Sequence, residues 1–147
     1  MSARTKIVKA LAEKLKLING TPPSTANING NAYAKLKYWD EINDFPAIYA
    51  VPGNETREYL PGNFKWGYMN VSLKVYVRGE NPEEELEVLL EDIERVIDSN
   101  RQLVYDVNTP GAFTTEIDIV SIVTDEGLLA PYGIGEVNLQ VRYQVLN

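Results

Sequence analysis

Met69-Asn70-Val71-Ser72-Leu73-Lys74-Val75-Tyr76-Val77-Arg78, followed after Gly79-Glu80 by Asn81-Pro82-Glu83-Glu84-Glu85-Leu86, decides how this chain folds. Met69, Val71, Leu73, Val75 and Val77 alternate with Asn70, Ser72, Lys74, Tyr76 and Arg78, the period of two that buries one face of a strand. Past the break the period lengthens. Leu86, Leu89, Leu90, Ile93, Val96 and Ile97 make one apolar stripe at helical spacing. Asn81 stands at the N-cap, Pro82 at the first helical position, and Glu84 completes a capping-box-like spacing. Each buried side chain of this kind is worth about 1.5–3 kcal/mol, so the helix is expected to pack on the sheet.

Working toward the N-terminus, Phe64, Trp66 and Tyr68 alternate in the opposite phase to Met69 and Val71. A one-residue flip near Gly67 predicts a β-bulge there. Residues 56–60 read as a short strand before the Pro61-Gly62 turn, and Pro52-Gly53-Asn54 reads as another turn. Residues 45–51 and 33–38 read as two earlier strands. Residues 21–31, rich in Pro, Ser, Thr, Asn and Gly, predict an irregular loop of the kind that is often functional or mobile. Ahead of it, Ser2 can cap a helix to about Leu17. Ile7, Leu11, Leu15 and Ile18 share one face, and Asn19-Gly20 ends it.

Toward the C-terminus, residues 103–107 predict a short strand and residues 114–124 a longer one. In the longer one, Ile117, Ile119 and Val123 face one way, with Val120 and Ile122 partly buried on the other. Residues 125–135 form a glycine-rich loop. A last strand over 136–146 turns Val137, Leu139, Val141, Tyr143 and Val145 to one side. The order is α-β-β-β-β-α-β-β-β. Strands that cluster instead of alternating with helices predict an α+β fold, a mixed, mostly antiparallel sheet with two amphipathic helices packed against it. At 147 residues the chain has the size of a single domain, spanning 1–147.

Composition narrows the chemistry. There is no cysteine and no histidine in the sequence. Disulfides, thiolate or imidazole metal sites, and Ser-His-Asp or Cys-His catalysis are thereby excluded. Carboxylate chemistry survives that elimination. A net charge of −7 argues against broad affinity for nucleic acid phosphates. No run of about 18 apolar residues is present to span a membrane, and the Lys-interrupted N-terminus does not read as a secretory signal.

The charged and aromatic clusters read as candidate contact surfaces. The second helix carries Glu83, Glu84, Glu85, Glu87, Glu91, Asp92, Glu94 and Asp98 against Arg95 alone. The first carries Arg4, Lys6, Lys9, Lys14 and Lys16 against Glu13. A solvated face explains each by itself, but opposite signs on one small domain also suit head-to-tail contact between copies. On that reading Lys6 and Lys9 would face Glu87, Glu91 and Glu94 of a neighbour. Phe64 and Trp66, with Arg57 nearby, either cover a sheet face or form an aromatic arm for another subunit. Leu128 and Leu129 are the remaining exposed-apolar candidates. Asp125-Glu126 reads as an acidic turn and not a calcium site, and Gly133-Ile134-Gly135 as a turn and not a phosphate loop.

In order and spacing the chain resembles the tail terminator, or tail completion, proteins of long-tailed phages, the minor tail protein U type. The matching pieces are Phe45-Pro46-Ala47-Ile48 running to Pro52-Gly53 and the Leu73-Lys74-Val75-Tyr76-Val77 core. They continue with the Asn81-Pro82-Glu83 helix start, Leu89-Leu90 and Ile93, and the strand from Gly135 to Tyr143. The resemblance covers most of the chain; residues 21–31 depart from it. It implies a homohexameric ring that caps the tail tube, ends its polymerisation and offers the surface that joins the head. Implied partners are copies of itself, the tail tube protein and a head-tail connector or neck protein. The genomic DNA would pass through unbound. No catalytic residue, cofactor or metal is implied, and the place implied is the virion tail, assembled in the host cytoplasm. Two other readings stay open: a neck or tail tube protein of the same assembly, and an unrelated carboxylate-dependent enzyme or binding domain.

Overall fold

Ser2 begins the first helix as its sequence suggests. Its hydroxyl accepts the Thr5 N–H at 3.2 Å, and α1 runs over Ala3–Leu15 with Ile7, Val8, Leu11, Ala12 and Leu15 buried. The computed structural model describes residues 1–146. After α1 come β1 (Ala32–Tyr33), a 3-10 turn (Trp39–Glu41), β2 (Ala47–Leu60), β3 (Phe64–Arg78), α2 (Pro82–Ser99), β4 (Thr114–Thr124) and β5 (Tyr132–Gln144). The described strands form one sheet in the order β1-β2-β3-β5-β4. The two-residue β1 is parallel to β2, and every other pair is antiparallel. The class is the expected α+β, with a mostly antiparallel sheet and two amphipathic helices.

Both helices cover the same face. One apolar core joins Ile7, Leu11 and Leu15 of α1 and Leu89 and Ile93 of α2 to Ile48, Leu73 and Leu139 of the sheet. α1 lies over β1 and β2, whereas α2 lies over β3, β5 and β4. The opposite face is open except where Ile42, Ala47, Tyr49 and Tyr76 form a smaller cluster with Tyr33, Phe45 and Ile134. There Tyr76 donates its hydroxyl proton to the Lys37 carbonyl at 2.9 Å.

The segmentation departs from the sequence reading in ways that have a common cause. Pro52-Gly53-Asn54 is not a turn. It is an irregularity inside the continuous β2, where the register to β3 shifts between Pro52 and Glu55. The bulge expected near Gly67 is therefore in the partner strand, and β3 keeps an unbroken register to β5. Phe64, Trp66 and Tyr68 sit on the open face, while the core-face position between them is Gly67. The Tyr143 ring fills its missing side chain, so a Cβ on Gly67 would meet Tyr143 Cε1 at 2.7 Å. A glycine with its volume supplied from another strand looks, in sequence, like a change of phase.

Residues 33–38 form strand only at Tyr33, and residues 103–107 contribute a single bridge, Val104 to Phe113. In β4 the register to β5 slips between Ile119 and Ser121. That slip puts Ile122, not Val123, in phase with Ile117, and leaves Val120 65% and Val123 54% exposed. Two-sided burial is thereby corrected, because β4 is an edge strand with no layer over its other face. Asn81 occupies the N-cap of α2 but makes no side-chain capping bond. Gly133-Ile134-Gly135 is interior to β5 and not a turn.

The loop over residues 21–31 is ordered by its own bonds. Gly20 N–H donates to Ala26 O at 2.9 Å and Ile28 N–H to Ile18 O at 3.1 Å, and Ile28 is fully buried. Asp92 on α2 anchors it further. Its carboxylate, 2% exposed, accepts the Ala26 N–H at 2.7 Å, the Thr25 N–H at 3.1 Å and Arg95 Nη1 at 2.7 Å.

Candidate assembly surfaces

The residues singled out as contacts fall into separate places. Lys6 and Arg57 line one cleft of about 290 Å³ with Ser2, Arg4, Tyr105 and Asp106. Both cations are already engaged within the chain. Lys6 Nζ lies 2.7 Å from Asp106 Oδ2, and Arg57 Nε lies 2.7 Å from Glu55 Oε2. The Lys6 bond, joined by Thr109 and the Asn108 N–H, holds the Asp106 carboxyl down at about 2. Lys9, by contrast, is exposed, and among the described residues it pairs with no carboxylate.

Glu55 is a residue that reading the sequence overlooked. The bulge in β2 turns its carboxylate inward, 5% exposed, where Arg4, Arg57 and the Tyr143 hydroxyl converge on it. Arg4 also donates to the Gly53 carbonyl on the bulge itself. Spacing of two between Glu55 and Arg57 puts both on one strand face, and that was the available signal. Burial, reinforced by the 2.8 Å bond to Glu55, pushes the Tyr143 phenol up to about 12. A raised folded value means the stabilisation is whole below the ordinary 10.0 and is lost as pH rises through about 12. Tyr143→Phe is expected to flatten the alkaline limb of a stability–pH curve in that window. An unchanged limb would show that Tyr143 does not titrate with folding.

Phe64 and Trp66 stack edge-on at 5.0 Å between ring centroids on the open face, where the Arg142 guanidinium sits 3.9 Å over Trp66. Arg57 is on the helix side of the same hairpin, since it pairs with Gly67 while Glu58 pairs with Trp66. The structure therefore separates Arg57 from the two aromatics it was grouped with. Tyr59, 70% exposed, stands on the Arg57 side under Lys65.

Glu87, Glu91 and Glu94 line a groove of about 510 Å³ whose floor includes Ile122 of β4. Among the described residues the only ion pair on α2 is Asp92 with Arg95, so these three carboxylates have no internal counter-charge. Asp92, grouped in the sequence with the solvated charges, is instead a buried anchor. Its position one turn from Leu89 and Val96 was the clue. Leu128, 83% exposed, is at the tip of the β4–β5 turn, with Leu129 beside it at 38%. Leu129 borders an open-face groove of about 580 Å³ with Val123, Leu36 and Tyr38.

Among the described residues these groups are ion pairs within the chain, an aromatic cluster under Arg142, exposed apolar residues, the exposed cation Lys9 and an unpaired acidic face. The comparisons with known proteins accord with that character. A family model described as Bacteriophage Tail Tube Terminator Protein matches residues 1–147. The tail tube terminator protein p142 of Escherichia phage T5 is 37% identical over 153 residues, covering 98% of this chain and 95% of that relative. Among solved structures, a chain of the native gene transfer agent virion aligns with a TM-score of 0.59 over 94% of each chain. At 9% identity that last likeness speaks to the fold alone.

Proposed function

Because the chain belongs to the bacteriophage tail tube terminator family, we propose that it assembles as a homohexameric ring on the end of the tail tube, stops tube polymerisation and presents the head-joining surface. It is a structural protein of the virion tail. The match along the whole length of the chain carries this reading. The unpaired carboxylates of α2 and the exposed cation Lys9 on α1 support self-association, since they give one molecule two complementary flanks. Residues 1–147 act as one unit with no catalytic role. That assignment rests on the absence of histidine and cysteine and on membership of a structural tail family.

Its partners on this reading are further copies, the tail tube protein below and a connector or neck protein above. Genomic DNA crosses the ring without specific binding, in keeping with a net charge of −7. No described helix is long and apolar enough to cross a membrane.

The test is electron microscopy of particles produced without this chain. Tails that overgrow their normal length are the expected result. Normal-length tails lacking heads would move the protein to the neck, and the absence of any tube would make it a tube subunit.

A further inference from the structure

We propose that copies of this chain join sheet edge to sheet edge, with residues 118–124 of β4 docking antiparallel on residues 55–60 of β2 in the next copy. This rests on the ring reading above and specifies its contact.

The two edges are unlike the rest of the sheet. The first half of β4 is covered from outside: Thr114 N–H donates to Leu103 O at 2.9 Å, and Arg101 Nε donates to Ile117 O at 3.3 Å. Beyond Ile117 no described segment pairs with the outer edge. That same stretch exposes Val120, Ile122 and Val123 and has no charge between Asp118 and Asp125. Sheet edges meant to face water are blunted by lysines, prolines, bulges or a covering segment; over its free half this one carries the bulge at Val120 but no lysine, proline or covering segment. At the other end of the sheet, β1 covers only Ile48 and Tyr49 of β2. Residues 55–60 are left with an open edge, where Tyr59 and Leu60 are exposed.

Direction and charge select the occupant. With β2–β3, β3–β5 and β5–β4 all antiparallel, β4 runs opposite to β2. A second copy in the same orientation, slid along the strands so that residues 55–60 and not the β1-covered Ile48 and Tyr49 come level with residues 118–124, therefore offers its β2 antiparallel to β4 and continues the ladder without inversion. Both helices lie on one face, with α2 over β4 and α1 over β2. Edge joining consequently sets the acidic α2 side of one copy, with Glu87, Glu91 and Glu94, beside the α1 side of the next, which carries the exposed Lys9. Pairing β4 with β4 would instead bring two acidic flanks together. Charge thus favours the heterologous contact, which closes into a ring when the rotation between copies brings the last edge back to the first.

Disulfide mapping tests this directly, because the chain contains no cysteine of its own. Val123→Cys is combined in turn with Thr56→Cys, Glu58→Cys and Leu60→Cys, which share the open face and span the possible registers. Facing positions in antiparallel strands lie within disulfide reach, about 4.5–5.5 Å between Cα atoms. Tails assembled from each full-length variant are mildly oxidised and run on a non-reducing gel. At least one pair is expected to give a ladder extending beyond dimer, and Val123→Cys alone none. If all three pairs stay monomeric while a lysine-reactive cross-linker still yields a ladder, the edge contact is wrong and the ring stands. If neither reagent yields a ladder, both the contact and the ring fail. Dimers from Val123→Cys alone would show a symmetric β4 contact and overturn the proposal. As a second arm, Val120→Lys is expected to keep the thermal midpoint of the free protein yet cut incorporation into tails at least tenfold; undiminished incorporation overturns the proposal.

Discussion

Asp92→Ala is expected to cost about 3 kcal/mol of folding stability, read as a lowered urea midpoint at constant slope. The carboxylate is buried against the 21–31 loop and holds two backbone N–H groups and one guanidinium. Alanine removes the acceptor and leaves the Thr25 and Ala26 donors with nothing in reach. Each unsatisfied buried donor costs about 1–3 kcal/mol, moderated here because the loop can admit water. The Arg95 guanidinium, about one third exposed, can rehydrate and adds little. Asp92→Asn keeps one acceptor oxygen and should fall between wild type and alanine. Hydrogen exchange at Thr25 and Ala26 separates this account from a general loss of helix stability: those two amides should lose protection first. If Asp92→Ala left the urea midpoint unchanged, the loop would not depend on this anchor.

Gly133→Ala is expected to lower stability by about 2 kcal/mol, roughly 6 °C in Tm for a domain of this size. Gly133 lies on β5 opposite Val77 and directly beneath the start of α2. A Cβ there would stand 2.7 Å from Val77 Cγ2 and 2.8 Å from the Pro82 carbonyl. The carbonyl is backbone, so relief requires lifting the first turn of α2 off the sheet. Gly135, two residues on, is the internal control. Its added Cβ would meet only side-chain ends, Leu86 Cδ1 at 3.2 Å and the Cδ2 atoms of Leu86 and Leu90 at 3.6 Å. Gly135→Ala should therefore cost well under half as much. Equal losses at both positions would mean that glycine's effect here is backbone entropy and not close approach.

Much of the architecture was legible along the chain. The apolar stripes of α1 and α2 and the alternation in β3 and β5 are enforced locally, by side-chain geometry that repeats every 3.6 or two residues. What misled lay at glycines and bulges. Gly67 and Gly133 look like punctuation because the atoms that fill their space, Tyr143 in one case and the α2 backbone in the other, come from elsewhere in the sequence. Pro52-Gly53 looks like a turn because a bulge uses the same residues. The candidate contacts were similarly divided: Lys6 and Arg57 proved to be held within the chain, while the free β4 edge went unseen because exposure is not a property of a strand's own sequence.

The amino-acid sequence by itself determined the helices, the strand-rich class, the exclusion of histidine and cysteine chemistry, and the opposite charges of the two helices. All of these follow from side-chain type and local period. Only the tertiary structure decided which carboxylates are buried, where the ladder slips, and which half of each outer strand is left without a partner. These depend on which distant segments meet, and a one-residue slip in register moves every later side chain to the other face.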